Sequence, residues 1–501
     1  MQVLAAEFAE RARRSPDEPA VIDAAGEHTT AEIQRAAQAL ADGLGDALNG
    51  APTVLVQADN TWRTLAAALA IGQRGGVIVV ISRHATRSEF DLACEDVLPD
   101  AVVASDDALS SWQASGQAFA AHRAVLEGWS LISREGAARG AERWAGGAAV
   151  AMTSGSTGRP KCVVQSESAI RYAGRATIEA VGLAPGDPVG ALVPLSSVAA
   201  FCFGMYLPAM LGGPQVCLDG WKPEVALEVM ERHAVRWTML VPTMALQLSI
   251  VPGATGTLRS LRAMTVGGGP MNAGALERAE TVLGTSFLRV FGMSECLGHT
   301  TSLPTDPPEV RLGTDGRPFP GTEFRVVDES GHPLPAGDVG QAQVRGPSLF
   351  VGYARDGVAQ PPALTDDGFL PTGDRARVAD DGSITILGRE KQIIIRGGRN
   401  IDINEVEAAL AEIPSVTQVC VVPVPDELLG ERAAALVVSP DHELTLQDVR
   451  AHLQNVGFPK FKWPEFVHVV PALPHNRVGK LSRPDAVALA ERLVTSEGGQ
   501  A

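Results

Sequence analysis

Cysteine is scarce and scattered in this 501-residue chain: Cys94, Cys162, Cys202, Cys217, Cys296 and Cys420 form no CxxC pair. That spacing excludes a dense disulfide framework and a structural zinc site, and a reducing cytosol is the expected setting. Basic residues are outnumbered, 42 Lys and Arg against 58 Asp and Glu, for a formal net charge of -16. A nucleic-acid surface needs a basic face to displace phosphate counterions, so no nucleic-acid partner is expected. Small anionic substrates stay open, because backbone donors and a few local cations hold nucleotide phosphates inside acidic proteins. An uninterrupted membrane-spanning run is missing too. Pro188 to Leu218 is uncharged and long enough, but Pro194, Pro208 and Pro214 interrupt it. Its glycines and Ser196-Ser197 read as a buried strand, loop and helix that line an apolar pocket. The first residues, MQVLAAEFAERARR, mix acids with arginines around no apolar core and read as a surface helix, not a secretory signal.

Lysine is the scarcest charge. Only Lys161, Lys222, Lys391, Lys460, Lys462 and Lys480 occur among the 42 basic residues. A compact ammonium is a point charge that planar guanidinium does not replace, so surviving lysines mark candidate sites. Lys222 precedes a helix-starting proline and needs no further reading.

What the chain does have is enough apolar content, 45%, and enough length for more than one core. Residues 1–320 alternate apolar strands (Thr53 to Gln57, Val77 to Ile81, Ala148 to Thr153, Arg262 to Val266) with alanine-rich helices, the pattern of stacked α/β layers with largely parallel sheets. Over 321–388 the texture changes to short alternating strands, with turns at Glu329-Ser330-Gly331 and Asp380-Asp381-Gly382, predicting a small antiparallel β-barrel or sheet. Mixed α/β texture then returns: a hairpin, an Asn-capped helix starting near Asn404, a strand at AALVVSP, and a helix capped by Thr445 with Asp448 three residues on. The expected fold is α/β, with a large N-terminal domain over 1–388, a hinge at 389–391, and a small mobile α+β lid over 392–501.

The motif Met152-Thr-Ser-Gly-Ser-Thr-Gly-Arg-Pro-Lys161 follows an apolar strand. Its glycines let backbone approach an anion, its N–H groups and hydroxyls donate, and Lys161 adds charge, so Thr153, Ser154, Gly155, Ser156, Thr157, Gly158 and Lys161 form a candidate phosphate loop. It does not fit the GxxxxGK[ST] pattern of P-loop proteins.

This loop resembles the phosphate-binding loop of the acyl-adenylate-forming superfamily, which includes acyl-CoA synthetases, peptide-synthetase adenylation domains and luciferases. The resemblance, closest to a stand-alone acyl-CoA synthetase, runs from about residue 5 to 490, and five further stretches match in order. Thr265-Val-Gly-Gly-Gly-Pro270 resembles the turn bordering adenine and acyl group, which implies roles for Gly268, Gly269 and Pro270. Val290-Phe-Gly-Met-Ser-Glu295 resembles the aromatic-Gly-x-Thr-Glu signature. It implies Phe291, Gly292 and Met293 at adenine, Ser294 at the α-phosphate, and Glu295 holding Mg²⁺. Pro371-Thr-Gly-Asp374 implies Asp374 as acceptor for both ribose hydroxyls. Gly388-Arg389-Glu390-Lys391 implies Arg389 near ribose and phosphates and Lys391 as the hinge pivot. Arg396, Gly397, Gly398 and Arg399 match the loop that admits a pantetheine arm, and Pro474-His-Asn-Arg-Val-Gly-Lys480 matches the C-terminal signature whose lysine reaches the carboxylate and α-phosphate.

The resemblance implies ATP, Mg²⁺ and coenzyme A, a carboxylic acid substrate, and cytoplasmic activation to acyl-AMP followed by transfer to CoA. The acyl pocket is expected from Ser197, Ala200, Phe201, Gly204, Val266, Gly267 and Gly298. No Asp or Glu falls in Pro188 to Leu218, which disfavours an amino acid and favours an apolar aliphatic, alicyclic or aryl acid. The histidine frequent after Pro-Leu in acyl-CoA synthetases is replaced in PLSSVAAF, a departure that bears on the pocket's geometry. CoA is the expected acceptor, because the chain stands alone without an attached carrier domain and Arg396, Arg399, Lys460 and Lys462 suit its phosphates; a free acyl-carrier protein, whose acidic helix suits the same cations, is the alternative. A non-catalytic ligand-binding relative is the reading of another class; intact Glu295, Asp374 and Lys480 speak against it.

Overall fold

The computed structural model of the chain describes residues 1–498 apart from 115–118, 120, 135, 154–159, 270, 272, 390, 391, 398, 427, 441–443, 477 and 478. Strands covered on both faces read as unbroken apolar runs, and two of them, Thr53–Gln57 and Val77–Ile81, are buried at every position. They lie side by side in parallel within a nine-stranded sheet. Ala101–Ser105 and Gly147–Thr153 flank them, also in parallel. Antiparallel strands, among them Lys161–Ser166 and Gly352–Arg355, extend the sheet. A seven-stranded sheet runs in the order Phe287–Val290, Ala263–Gly267, Trp237–Leu240, Val189–Ala191, Gln215–Cys217, Pro19–Asp23 and Gly26–Thr29, parallel except for the last pair. The alanine-rich helix Trp62–Gln73 touches strands of both sheets and is buried from Thr64 to Gly72, so small side chains let it serve as the layer between them.

Pro188 to Leu218 forms the strand Val189–Ala191, a loop, a continuous helical stretch that widens to π geometry over Phe201–Tyr206, and the strand Gln215–Cys217. No described helix is long and apolar enough to cross a membrane.

Two compact units emerge. The first comprises Met1–Gly268, Leu276–Phe324 and Val344–Leu370; the second comprises Gly269–Ala275, Arg325–Gln343 and Pro371–Ala501. The stretch expected as a small antiparallel barrel or sheet forms an open four-stranded sheet in the order Glu323–Val327, Val339–Arg345, Leu370–Val378 and Ile384–Arg389. Its two edge strands do not pair with each other among the described residues, so a sheet replaces the barrel. Four strands are few for closure, since even small barrels use more to keep strand tilt and register consistent.

The second unit also holds a five-stranded sheet built on the long antiparallel pair Gln418–Asp426 and Gly430–Val438. Alternation along these strands sends Val421, Ala435 and Val437 to one core with Ile403, Val406, Leu410 and Leu453. Cys420, Val422, Ala434 and Leu436 face the other core, with Ala486 and Ala490. The helix Ile403–Ala411 is capped by Asp402, whose carboxylate accepts the Asn404 amide at 2.9 Å, and not by an asparagine. Both residue types suit the position, and the hairpin's exit places the aspartate there. Thr445 and Asp448 form the expected capping box.

Candidate active site

The strand Gly147–Thr153 leads into the hydroxyl-rich loop, and Lys161–Ser166 returns beside it with Thr153 opposite Lys161. Ser154, Gly155, Ser156, Thr157 and Gly158 lie outside the described residues, as do Pro270, Lys391 and Gly398. What the flanking strands do is clear. The Lys161 ammonium stands 4.9 Å from the centre of the Tyr353 ring, and the Tyr353 hydroxyl donates to Glu295 Oε1 at 2.7 Å. From the same returning strand, the buried Gln165 amide donates to the Ser294 carbonyl at 2.7 Å. The Phe350 amide donates to the Glu295 carbonyl at 2.9 Å. Two motifs more than a hundred residues apart therefore meet through Gln165 and Tyr353.

Glu295 belongs to a tight turn in which Met293 and Cys296 exchange backbone hydrogen bonds at 3.1 Å. The turn is half-exposed, and no described residue donates to Glu295 Oε2. A single carboxylate with one bound and one open oxygen suits Mg²⁺, which takes one or two carboxylates and fills its octahedron with phosphate oxygens and water. The structure describes no group of three or more His, Cys, Asp or Glu side chains that forms an all-protein metal cage.

Phe291 is half-buried at the start of this turn. Its ring meets His299 edge-on, centroids 4.8 Å apart, and His299 stacks on Phe324 at 6.3 Å. Burial pushes the His299 imidazole down to about 4. The ring is therefore neutral near pH 7, with Nδ1 donating to the Cys296 carbonyl at 2.9 Å. Burial pushes the Cys296 thiol up to about 12, which leaves no thiolate beside Glu295.

Gly267 and Val290 are opposite partners on adjacent parallel strands, and a Cβ at Gly267 would come 2.5 Å from the Val290 side chain. Gly268, the next residue after Gly267, has φ +84, a conformation that favours glycine. Val266 is fully buried. Gly298, at φ +43, leaves room for Phe203: a Cβ there would lie 2.8 Å from Phe203 Cζ. Phe203 in turn meets Trp237 edge-on at 6.3 Å, and the Trp237 indole N–H donates to Thr265 Oγ1 at 2.9 Å. Ala200 and Phe201 are buried. The Ser197 hydroxyl caps its own helical turn by accepting the Ala200 amide, and Gly204 nests against Leu195 and Ala191.

Sequence reasoning did not single out Gln165, Phe203, Trp237, His299, Phe324 or Tyr353. Nor did it single out Asn60, a buried residue whose amide donates to the carbonyls of Ala191 and Val193 and whose Oδ1 accepts the Leu195 amide at 2.9 Å. These bonds shape the loop that leads to Ser197. Phe203 alone carried a signal, its place inside the uncharged stretch.

In the second unit, Asp374 and Arg389 are opposite partners on antiparallel strands, joined at 2.9 Å from Arg389 Nε to Asp374 Oδ1. Asp374 is 4% exposed. A Cβ at Gly388 would collide with the Asn404 side chain at 2.1 Å, so glycine is required where this strand passes the helix Ile403–Ala411. Arg396 and Arg399 pair across the hairpin of Ile393–Arg396 and Arg399–Asp402. Gly397, at φ +54, donates its amide to the Leu429 carbonyl. Arg399 lies 5.4 Å from the Phe461 ring, Lys460 5.8 Å from the Trp463 ring, and Lys462 pairs with Glu405. Lys480 is exposed on a loop between Pro474 and Ser482.

Residues 8–354 match the family model described as AMP-binding enzyme, and residues 405–480 match the AMP-binding enzyme C-terminal domain. A 2-hydroxy-7-methoxy-5-methyl-1-naphthoate–CoA ligase of Streptomyces carzinostaticus is 30% identical over 98% of this chain and 93% of its own length. Triostin synthetase I of Streptomyces triostinicus is 35% identical over 68% of this chain and 64% of its own length. The first curated relatives are matched over only 60% to 64% of their length. Among solved structures, ATP-bound MatB from Rhodopseudomonas palustris aligns with a TM-score of 0.82 at 26% identity, covering 98% of this chain and 99% of that one.

Proposed function

Because the chain belongs to the AMP-binding enzyme family, we propose that it activates a carboxylic acid with ATP as an acyl-adenylate and transfers the acyl group to the thiol of CoA. The observation that carries this reading is the Lys161–Tyr353–Glu295 chain of contacts, which puts a candidate phosphate-loop cation and a candidate magnesium ligand into one cluster.

In the first half-reaction a carboxylate oxygen attacks the ATP α-phosphorus in line, a P–O bond breaks, and pyrophosphate leaves with its electron pair. Positioning and charge neutralisation supply the catalysis. Glu295 would hold Mg²⁺, which supplies charge compensation for the phosphates. Lys161 and the hydroxyl-rich loop bind the phosphates, Phe291 packs on adenine, Ser294 serves the α-phosphate, and Asp374 with Arg389 binds the ribose. Lys480 bridges the carboxylate and the α-phosphate as charge develops between them. In the second half-reaction the thiol sulfur attacks the acyl carbon, AMP departs, and the thiol proton passes to solvent. The lid over 392–501 turns at Lys391 and exchanges Lys480 for Arg396, Gly397, Gly398 and Arg399. Burial raises the thiols of Cys94, Cys202, Cys217, Cys296 and Cys420, which supports chemistry without a protein nucleophile.

An apolar aryl, alicyclic or aliphatic acid is the substrate class favoured by the uncharged surroundings of Phe203, Trp237, Val266 and Gly298. The naphthoate–CoA ligase likeness over nearly the whole chain supports an aryl acid and CoA. Six free cysteines support a reducing cytoplasm. The test is a pyrophosphate-release screen over aryl, alicyclic and fatty acids, followed by thioester formation with CoA and with a phosphopantetheinylated carrier protein. Acid-dependent release with CoA thioester formation supports the proposal. Release with the carrier alone replaces the acceptor, and no release with any acid favours a non-catalytic binding protein.

A further inference from the structure

We infer that Asn476 is a positioning residue for the Lys480 ammonium, an assignment that rests on the proposed role of Lys480 in adenylation. A lysine side chain has four flexible carbons, so where its ammonium can reach depends on how firmly its own backbone is held. Asn476 holds the Lys480 backbone at both of its polar groups. The Asn476 side-chain Oδ1 accepts the Lys480 amide at 2.9 Å, and the Asn476 amide donates to the Lys480 carbonyl at 2.7 Å. The Gly479 amide closes the turn on the Asn476 carbonyl at 2.9 Å, with Gly479 at φ +76, a conformation that favours glycine.

The loop is closed at its base and then anchored. Ser482 donates its amide to the Pro474 carbonyl at 2.9 Å, and His475 pairs with Leu481. The next residue, Arg483, reaches Glu407 Oε2 at 2.9 Å and the Val421 carbonyl at 3.0 Å. Glu407 Oε1 accepts the Val421 amide at 2.8 Å, so one ion pair ties the end of the loop to the strand Gln418–Asp426 and the helix Ile403–Ala411. The base and the anchor hold the ends of the loop, whereas the Asn476 side chain holds the Lys480 backbone amide directly. Asn476 carries no charge and is half-buried, between Leu473 and Leu481, which belong to or pack against one core of this unit.

The two half-reactions provide the test, because Lys480 serves only the first. In the full-length protein, Asn476→Ala should slow acid-dependent ATP–pyrophosphate exchange about 10- to 100-fold, the range expected when a catalytic group is misplaced by about an ångström. Thioester formation from supplied acyl-AMP should stay within about twofold of wild type, since the loop's anchor is intact. Asn476→Asp keeps an acceptor for the Lys480 amide and should restore most of the exchange. Equal loss in both steps, an Asn476→Ala variant with normal exchange, or an aspartate variant as slow as the alanine variant would each overturn the inference. Lys480→Ala runs alongside: if that variant retains exchange, the reading of Lys480 fails on its own, separately from any result at position 476.

Discussion

Removing the hydroxyl of Tyr353 tests the cluster on which the functional reading rests. Tyr353→Phe keeps the ring, so the Lys161 contact at 4.9 Å, of the kind that contributes about 0.5–1 kcal/mol at exposed sites, should persist. What disappears is the 2.7 Å hydrogen bond to Glu295 Oε1. Bonds to a charged group contribute about 1.5–3 kcal/mol net, and water replaces part of this because Glu295 is half-exposed. Glu295 also regains rotamer freedom worth about 1–2 kcal/mol, which must be lost again when it serves a metal. The balance, about 1.5 kcal/mol, corresponds to roughly a tenfold change. The assay is acid-dependent ATP–pyrophosphate exchange titrated with Mg²⁺. The half-saturating Mg²⁺ concentration should rise about tenfold, while KM for the acid and the thermal midpoint stay near wild type. An unchanged Mg²⁺ titration would refute the reasoning, and a fall in thermal midpoint with no Mg²⁺ effect would reduce Tyr353 to a structural residue.

Lys480→Ala should abolish exchange and leave thioester formation from acyl-AMP largely intact; loss of both steps to the same extent would sink the role given to Lys480. Gly298→Ala places a methyl group 2.8 Å from Phe203 Cζ in a left-handed backbone conformation, so it should cost about 1–3 kcal/mol in chemical denaturation. Phe203→Leu in the same chain should recover part of that loss and shift the acid panel toward bulkier substrates; strictly additive effects would separate the two residues. His299 is held at about 4 against an ordinary 6.5, so the unfolded chain binds more protons between those values and stability falls as pH drops through that window, by roughly 3 kcal/mol in total. His299→Asn should flatten the dependence of unfolding free energy on pH between about 4 and 6.5, and an unchanged slope would assign it to other groups.

Much of this protein was legible in its residues because the signals are local. Val77–Ile81 is apolar at every position and Thr53–Gln57 at its three central ones because both faces are covered, and the run of residue types alone records that. Thr445 with Asp448 encodes a helix start within four residues. The ordered motifs around Lys161, Glu295, Asp374 and Lys480 named the family before any contact was known. Other features belong to tertiary structure. Closure of 321–388 into a barrel depends on edge pairing that short alternating strands do not specify, and the sheet stays open. Asn60 is unremarkable in sequence, yet it holds a loop more than 130 residues away because its amide is the donor that loop's carbonyls meet. Tyr353 gains its meaning only where one strand brings it between Lys161 and Glu295. Local chemistry is written in neighbouring residues; the partners that orient it come from distant parts of the chain, and only the folded packing decides which of them meet.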